Sequence, residues 1–392
     1  MKFKRIFVIV ADSMGIGNAP DAQNYNDLGA NTFGHIADSF SEFNVPNLAA
    51  LGIGNICQNK TVKKVQNPKG VVARLEEISV GKDTLTGHFE IMGLEVTAPY
   101  PSFTETGFPD ELIKMLEDYS GRKVIGNKSA SGTEILVELG EEQLKTGALI
   151  VYTSADSVLQ IAANEEIIPL QELYDICAYA RKITNENKAW QVGRIIARPF
   201  VGQSKETFKR TANRHDYALK PFAKTTLDSL SEAGFDVLAV GKIYDIFDGE
   251  GITKTSRSKS NHEGMEITIN HLNDDFTGIC FTNLVDFDAI YGHRRNTLGY
   301  KNAIEEFDTQ IGEFIEKMTE EDLLIITADH GNDPTHHGTD HTRELVPVIF
   351  YHKNIVGKEL GTLKSFACIA QTICENFDVK KPTIGKSVLK EL

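Results

Sequence analysis

Residues 321–343 read EDLLIITADHGNDPTHHGTDHTR, an apolar run that drives straight into carboxylates and imidazoles. Asp329 and His330 close the run, and Asp333, His336, His337, Asp340, His341 and Arg343 follow closely. Aspartate and histidine together supply the oxygen and nitrogen donors that divalent transition metals take. Two further acids sit at the ends of apolar runs: Asp12 in KRIFVIVAD and Asp288 in GICFTNLVDFD. His293 follows Asp288 by five residues, and His341 follows Asp329 by twelve. Taken singly, a strand-end aspartate is an ordinary cap or turn residue and a lone histidine an ordinary surface or core residue. Taken jointly, three converging carboxylates would repel one another unless a cation neutralised them. Two cations about 4 Å apart would let one activate a nucleophile while the other holds the group being transferred.

The elements that must position these residues follow from periodicity. Continuous apolar runs near 4–12, 71–75, 235–240, 278–288, 322–329 and 344–351 read as buried strands. Helical patterns cover 31–40, 46–51, 88–94, 225–233, 264–272, 297–317 and 363–377. Strands separated by helices predict an α/β fold, a mostly parallel sheet covered by helices on both faces. Ligands bind such sheets beyond the carboxyl ends of the strands, where Asp12, Asp288 and Asp329 fall. The texture changes near residue 100, where Pro99, Pro101 and Pro109 break the chain. The block 100–220 has helices and strands of its own, enough for an inserted α+β cap domain between the two parts, 1–99 and 221–392, of a discontinuous core. Basic residues gather in that block: Arg194, Arg198, Arg210, Arg214 and Lys220. The GIG at 15–17 does not complete a dinucleotide fingerprint.

Composition narrows the partners. The 392 residues carry 41 Lys plus Arg against 55 Asp plus Glu, a formal charge of −14, which argues against nucleic acid and against an anionic membrane. An anionic small molecule stays compatible, because bound metals reverse the local field. No stretch reaches the ~18 apolar residues that cross a bilayer. The five cysteines are scattered and form no CxxC pair, so neither a disulfide framework nor a thiolate zinc site is expected. The expected location is cytoplasmic.

Four segments, ADSMGIGNAPD, GKDTLTGHFEIMG, NLVDFDAIYGHRR and ITADHGNDPTHHGTDHTRE, resemble the signature segments of the alkaline phosphatase superfamily. More narrowly they resemble those of the bacterial phosphopentomutases, over essentially the whole chain and in the same order. The resemblance implies an alkaline-phosphatase-like core, with one metal held by Asp12, Asp329, His330 and the nucleophile's hydroxyl, and a second held by Asp288, His293 and His341. It implies Thr84 as nucleophile. Thr86 is the competitor, with an N-cap role in a helix beginning near it as its plainer reading. Asp286 shares a strand face with Asp288 and is not excluded by geometry; the family pattern favours Asp288. His336, His337 and Asp340 are read as loop residues. Asp156 is implied as a contact to sugar hydroxyls, and Arg194, Arg198, Arg210 and Lys242 are candidates for a distal phosphate.

The activity implied is mutation of pentose phosphates through a phosphothreonine and a sugar 1,5-bisphosphate, primed by a sugar bisphosphate such as glucose 1,6-bisphosphate. A mobile cap suits a mutase, which must keep water from its phosphoenzyme. Two divalent ions are implied, manganese by resemblance, although the ligand set admits zinc or cobalt equally. The rival readings are a cofactor-independent phosphoglycerate mutase, which normally has serine where Thr84 stands, and a metal-dependent phosphomonoesterase. A non-catalytic sugar-phosphate sensor would lack a ligand or the nucleophile, and none is missing.

Overall fold

The structure, a computed structural model, describes residues 2–154 and 157–392. Contacts divide the chain into two compact units, Met1–Ala98 with Pro221–Leu392, and Pro99–Lys220.

In chain order the first unit opens with β1 (Arg5–Ala11), the helices α1 (Thr32–Asp38), α2 (Pro46–Leu51) and α3 (Ile53–Ile56), β2 (Val71–Glu76) and α4 (Thr84–Ile91). The second unit holds α5 (Asp110–Ser120), β3 (Val124–Ser129), α6 (Glu134–Thr146), β4 (Leu149–Thr153), β5 (Val158–Asn164), α7 (Leu170–Glu186), β6 (Arg194–Val201), β7 (Lys209–Arg210) and β8 (His215–Ala218). The first then resumes with α8 (Thr226–Glu232), β9 (Asp236–Val240), α9 (Ile243–Ile246), β10 (Lys254–Ser256) and α10 (Asn261–Asn270). It ends with β11 (Gly278–Leu284), α11 (Thr297–Lys317), β12 (Asp322–Thr327), β13 (Val346–Tyr351), β14 (Lys358–Lys364) and α12 (Cys368–Phe377).

The first unit's sheet runs β10-β9-β11-β1-β12-β13-β2-β14. It is mostly parallel, with β13 alone antiparallel to both its neighbours. All seven residues of β1 are buried, as its unbroken apolar sequence demands of a strand covered on two sides. Alternation assigns the two faces. Phe7 packs edge-on against Phe314 of α11, whereas the next position pairs Val8 with Phe281, whose ring meets His88 of α4. Helices therefore cover both faces.

Three expectations change. The apolar run at 278–288 is a strand only to Leu284; residues 287–292 wind into a π-helical turn, so Asp286 and Asp288 do not share a strand face. The helix expected over 363–377 starts at Cys368, because Leu363 and Lys364 close β14, whose mostly exposed, largely polar sequence carries little strand signal. The helix expected over 88–94 begins at Thr84, capped by Asp83 rather than by Thr86.

The second unit is a mixed sheet, β3-β4-β5-β6-β7, with β8 also paired to β6. Leu149, Val151, Leu159 and Ile161 face α5 and α7, packing on Leu112, Leu116 and Ile176. Ile150, Tyr152 and Ala162 face the other way, onto Ile135 and Leu136 of α6.

Candidate metal centre

Because β1 lies between β11 and β12 and runs parallel to both, the three strands deliver their carboxyl ends to one edge. Asp12 follows β1 directly, Asp329 and His330 follow β12, and Asp288 sits in the turn after β11. Two groups of ligand atoms result, each within 4.8 Å: Asp12, Asp329 and His330, all buried, and Asp288, His293 and His341, with His293 half-buried.

In the first group Nε2 of His330 is 3.5 Å from Asp12 Oδ1 and 3.4 Å from Asp329 Oδ2. In the second, Nε2 of His293 is 3.1 Å from Asp288 Oδ2, and Nε2 of His341 is 3.4 Å from Asp288 Oδ1. The rings of His330 and His341 stack at 4.0 Å, which sets the groups side by side. Two of the histidines are oriented from behind. Nδ1 of His330 donates to the Gly331 carbonyl at 3.0 Å, and Nδ1 of His293 to the Thr339 carbonyl at 2.8 Å. A carbonyl only accepts, so the ring hydrogen belongs on Nδ1 and the Nε2 lone pairs point inward, as metal ligands require. Ser13 holds a left-handed φ of 67°, and its N–H donates to Asp329 Oδ1 at 3.0 Å, leaving Oδ2 turned to the group.

Two of those carboxylates each keep one oxygen unbonded among the described residues. Asp12 Oδ1 and Asp329 Oδ2 are buried without a hydrogen-bond partner among the described residues. Nδ1 of His88 stands 3.1 Å from Asp329 Oδ2, yet its one hydrogen is directed at the Thr84 carbonyl, 2.9 Å away. Burial, with the charges of Asp329 and Asp288, raises the Asp12 carboxyl well above its usual range. Burial also opposes the Asp288 charge, but His341 and His293 pull that carboxyl well below the usual range. An unpaired buried carboxylate oxygen is costly, and a divalent cation is the partner this donor set accepts. The residues fit a pair of metal ions.

The two threonines separate clearly. Thr84 opens α4, half-buried, with Oγ1 3.2 Å from Nε2 of His330. Thr86 is fully buried, and its hydroxyl donates to Asp83 Oδ2 at 2.7 Å. Asp286 accepts the Asn261 N–H at 2.8 Å, the first N–H of α10, whose N-cap is Ser260. His336, His337 and Asp340 fall in neither group; His337 bonds the Asn26 carbonyl at 2.7 Å and Asp340 pairs with Lys82 at 3.3 Å.

Several supporting residues escaped the sequence reading. Asn283 donates to Asp12 Oδ2 at 2.8 Å and Asn332 to Asp288 Oδ1 at 2.7 Å. Buried Arg343 bonds Glu77, Asp21 and the Gly81 carbonyl, holding the loop that leads into Thr84. Asn283 did carry a signal: it is an amide inside the apolar strand GICFTNL.

Of the residues expected to bind substrate, Lys242 follows β9 in the first unit, and its charge acts on Asp12. Asp156 lies outside the described residues. In the second unit, strand register puts Arg194, Arg198 and Arg210 on one sheet face with Tyr152, Gln160 and Asp216. Arg198 donates to Gln160 at 2.9 Å, while Arg214 grips Asp216 through two bonds of 2.6 and 2.7 Å. Burial and the charges of Arg214 and Arg210 lower the pKa of Arg198, the mark of cations crowded without enough anions. The Tyr152 hydroxyl is buried there without a hydrogen-bond partner among the described residues.

Among solved structures, a protein from Pyrococcus horikoshii is 14% identical, with 96% of this chain and 97% of that one covered and a TM-score of 0.49. Leishmania mexicana phosphoglycerate mutase is 13% identical, with 98% and 97% covered and a TM-score of 0.48. A Vibrio parahaemolyticus protein of the alkaline phosphatase superfamily is 16% identical over 43% of this chain and 51% of its own, with a TM-score of 0.34. At these scores the likenesses carry no functional argument. No helix among the described residues is long and apolar enough to cross a membrane. The model of the Metalloenzyme superfamily matches residues 4–381, and the chain, with two groups of residues that could hold divalent ions at the carboxyl edge of its sheet, belongs to that superfamily.

Proposed function

We propose that the chain is a phosphopentomutase, interconverting α-D-ribose 1-phosphate and D-ribose 5-phosphate, and the 2-deoxyribose pair. Thr84 Oγ1, 3.2 Å from Nε2 of His330, carries this reading: a half-buried hydroxyl meets the first ligand group. Asp12, Asp329, His330 and the threonine hydroxyl would hold one ion, and Asp288, His293 and His341 the other. Bound there, two divalent ions, manganese by resemblance, would lower the pKa of the hydroxyl and neutralise the phosphoryl oxygens. Thr84 also stands at the first position of α4, where a helix N-terminus favours an anion.

In this reading Thr84 rests as a phosphothreonine, primed by a sugar bisphosphate such as glucose 1,6-bisphosphate. The phosphorus–Oγ bond breaks as a bond forms to the free hydroxyl of the incoming sugar phosphate, whose proton leaves for the threonine oxygen. The sugar 1,5-bisphosphate then returns its other phosphoryl group to Thr84. The arginine face of the second unit, with a tyrosine hydroxyl that has no partner among the described residues, suits a phosphate dianion; Asp156 would bond sugar hydroxyls. Five buried free cysteines suit a reducing compartment, the cytoplasm.

Incubation with ribose 5-phosphate, Mn2+ and glucose 1,6-bisphosphate tests the proposal. Ribose 1-phosphate should form with almost no free phosphate. Phosphate released as fast as substrate is consumed would indicate a phosphomonoesterase, and turnover of 3-phosphoglycerate instead would indicate a phosphoglycerate mutase; either overturns it.

A further inference from the structure

Two buried side chains join the helix carrying Thr84 to the carboxylates of the first ligand group. His88, fully buried, stands one turn along α4 from Thr84. Its Nδ1 hydrogen goes to the Thr84 carbonyl at 2.9 Å. In an α-helix that carbonyl already accepts the backbone N–H four residues on, so the ring supplies an additional bond that backbone satisfaction does not need. The same edge of the ring lies 3.1 Å from Asp329 Oδ2. On the opposite edge, Nε2 lies 3.3 Å from Nδ2 of Asn283, which also donates to Asp12 Oδ2 at 2.8 Å. The amide's orientation follows from its neighbours: both the carboxylate and the unprotonated Nε2 need a donor, and a flipped amide would offer neither one. Thr84, His88, Asn283 and Asp12 thus form one continuous chain of hydrogen bonds, drawn from α4, β11 and the end of β1.

Taking the reading of Thr84 and the first ligand group given above as its basis, we infer that His88 and Asn283 are positioning residues that hold the threonine hydroxyl in register with the Asp12 and Asp329 carboxylates. Neither touches the reacting atoms. A displacement of 1 Å at a reacting group is worth about 100-fold in rate, so a rigid bridge between nucleophile and ligands has a purpose. The plainer alternative is a core histidine that merely packs on Phe281, whose ring centroid is 5.9 Å away.

The test uses the full chain with Mn2+ alone as the binding probe, in equilibrium dialysis, beside kcat and KM for ribose 5-phosphate. The variants are His88→Phe, Asn283→Leu and His88→Asn, the last keeping an amide N–H where Nδ1–H stood. His88→Phe and Asn283→Leu should each weaken one of the two Mn2+ ions by roughly 10–100-fold, leave the other unchanged, and lower kcat more than they alter KM. His88→Asn should recover part of both losses. Two ions bound with parental affinity and an unchanged kcat in both disrupted variants would overturn the inference while leaving the site reading intact. Equal weakening of both ions alongside a lowered melting temperature would also overturn it, marking a packing role. If His88→Phe fails to fold, Asn283→Leu reads the other end of the same bridge. Failure of the unsubstituted chain to bind two Mn2+ would instead strike the reading of the site itself.

Discussion

The two ends of the central strand pair β1 and β12 treat buried acids in opposite ways. At the amino end, Arg5 and Asp322 are register partners, and the guanidinium grips the carboxylate through bonds of 2.6 and 2.9 Å. The remaining nitrogen of Arg5 donates to the carbonyls of Leu272 and Asp274, and Asp322 also accepts from the N–H and hydroxyl of Thr319. At the carboxyl end, a few residues along the same strands, Asp12 and Asp329 each retain a buried oxygen with no partner among the described residues. Where an acid serves only the fold, the protein supplies its counter-charge. Where an acid could take an ion, one side of the carboxylate is left open.

The largest expected effect falls at the carboxyl end. Thr84→Ala should lower turnover by at least roughly a thousandfold while Mn2+ still binds, and no phosphorylated peptide containing residue 84 should be found by mass spectrometry. Full activity in that variant would remove the nucleophile from the site.

At the amino end, Asp322→Asn strands a buried guanidinium and should cost about 3–5 kcal/mol in urea unfolding, with Mn2+ affinity unchanged. The matching substitution at the other end should have the opposite sign. In chelator, Asp12→Asn should melt later than the parent, because burial and two neighbouring carboxylates already press Asp12 toward its neutral form. The sign follows from linkage. A carboxyl whose folded pKa is raised keeps its proton in the fold, so the parent loses stability as pH rises above the unfolded value near ~4, whereas the asparagine variant does not. The gap between the two should therefore widen from pH 4 to pH 7. Equal losses of stability in Asp12→Asn and Asp322→Asn would erase the distinction between the ends.

A finer effect separates the two ligand groups. His341→Ala should retain one Mn2+ of two by elemental analysis. In the parent, burial keeps the His330 imidazolium pKa low. Burial acts the same way on His293, but the Asp288 carboxylate outweighs it and lifts that pKa above the usual range. Protons therefore compete with the metal at His293 in the Asp288 group and, through the raised Asp12 carboxyl, in the other group as well, so acidification should release both ions. Either ion held unchanged on acidification, followed by dialysis across pH, would contradict this.

How legible the molecule was depended on whether the signal was local. The apolar runs that became β1, β9, β12 and β13 carry their strand character in their own residues, and Pro46–Leu51 and Thr297–Lys317 show helical spacing with clear stops. Strand β14, sequence KELGTLK, is exposed along its length and shows no such pattern; only its pairing with β2 makes it a strand. The run ending at Asp288 looked like unbroken strand because an apolar π-helical turn and an apolar strand share a composition.

By itself the sequence determined which carboxylates and imidazoles end apolar runs, and that an alternation of strands and helices would bury those runs in a parallel sheet. Tertiary structure alone decided that they meet. Strand order put β1 between β11 and β12, although β1 lies hundreds of residues before both, and no local pattern encodes that order. It also decided which hydroxyl of GKDTLTG is held at the ligands, since Thr84 and Thr86 differ only in what surrounds them: Asp83 takes one hydroxyl, and His330 faces the other. His88 was beyond reach for the same reason, and Asn283, though visible as an amide inside an apolar strand, had no partner that the sequence could name. A hydrogen-bond bridge exists only between partners already in place.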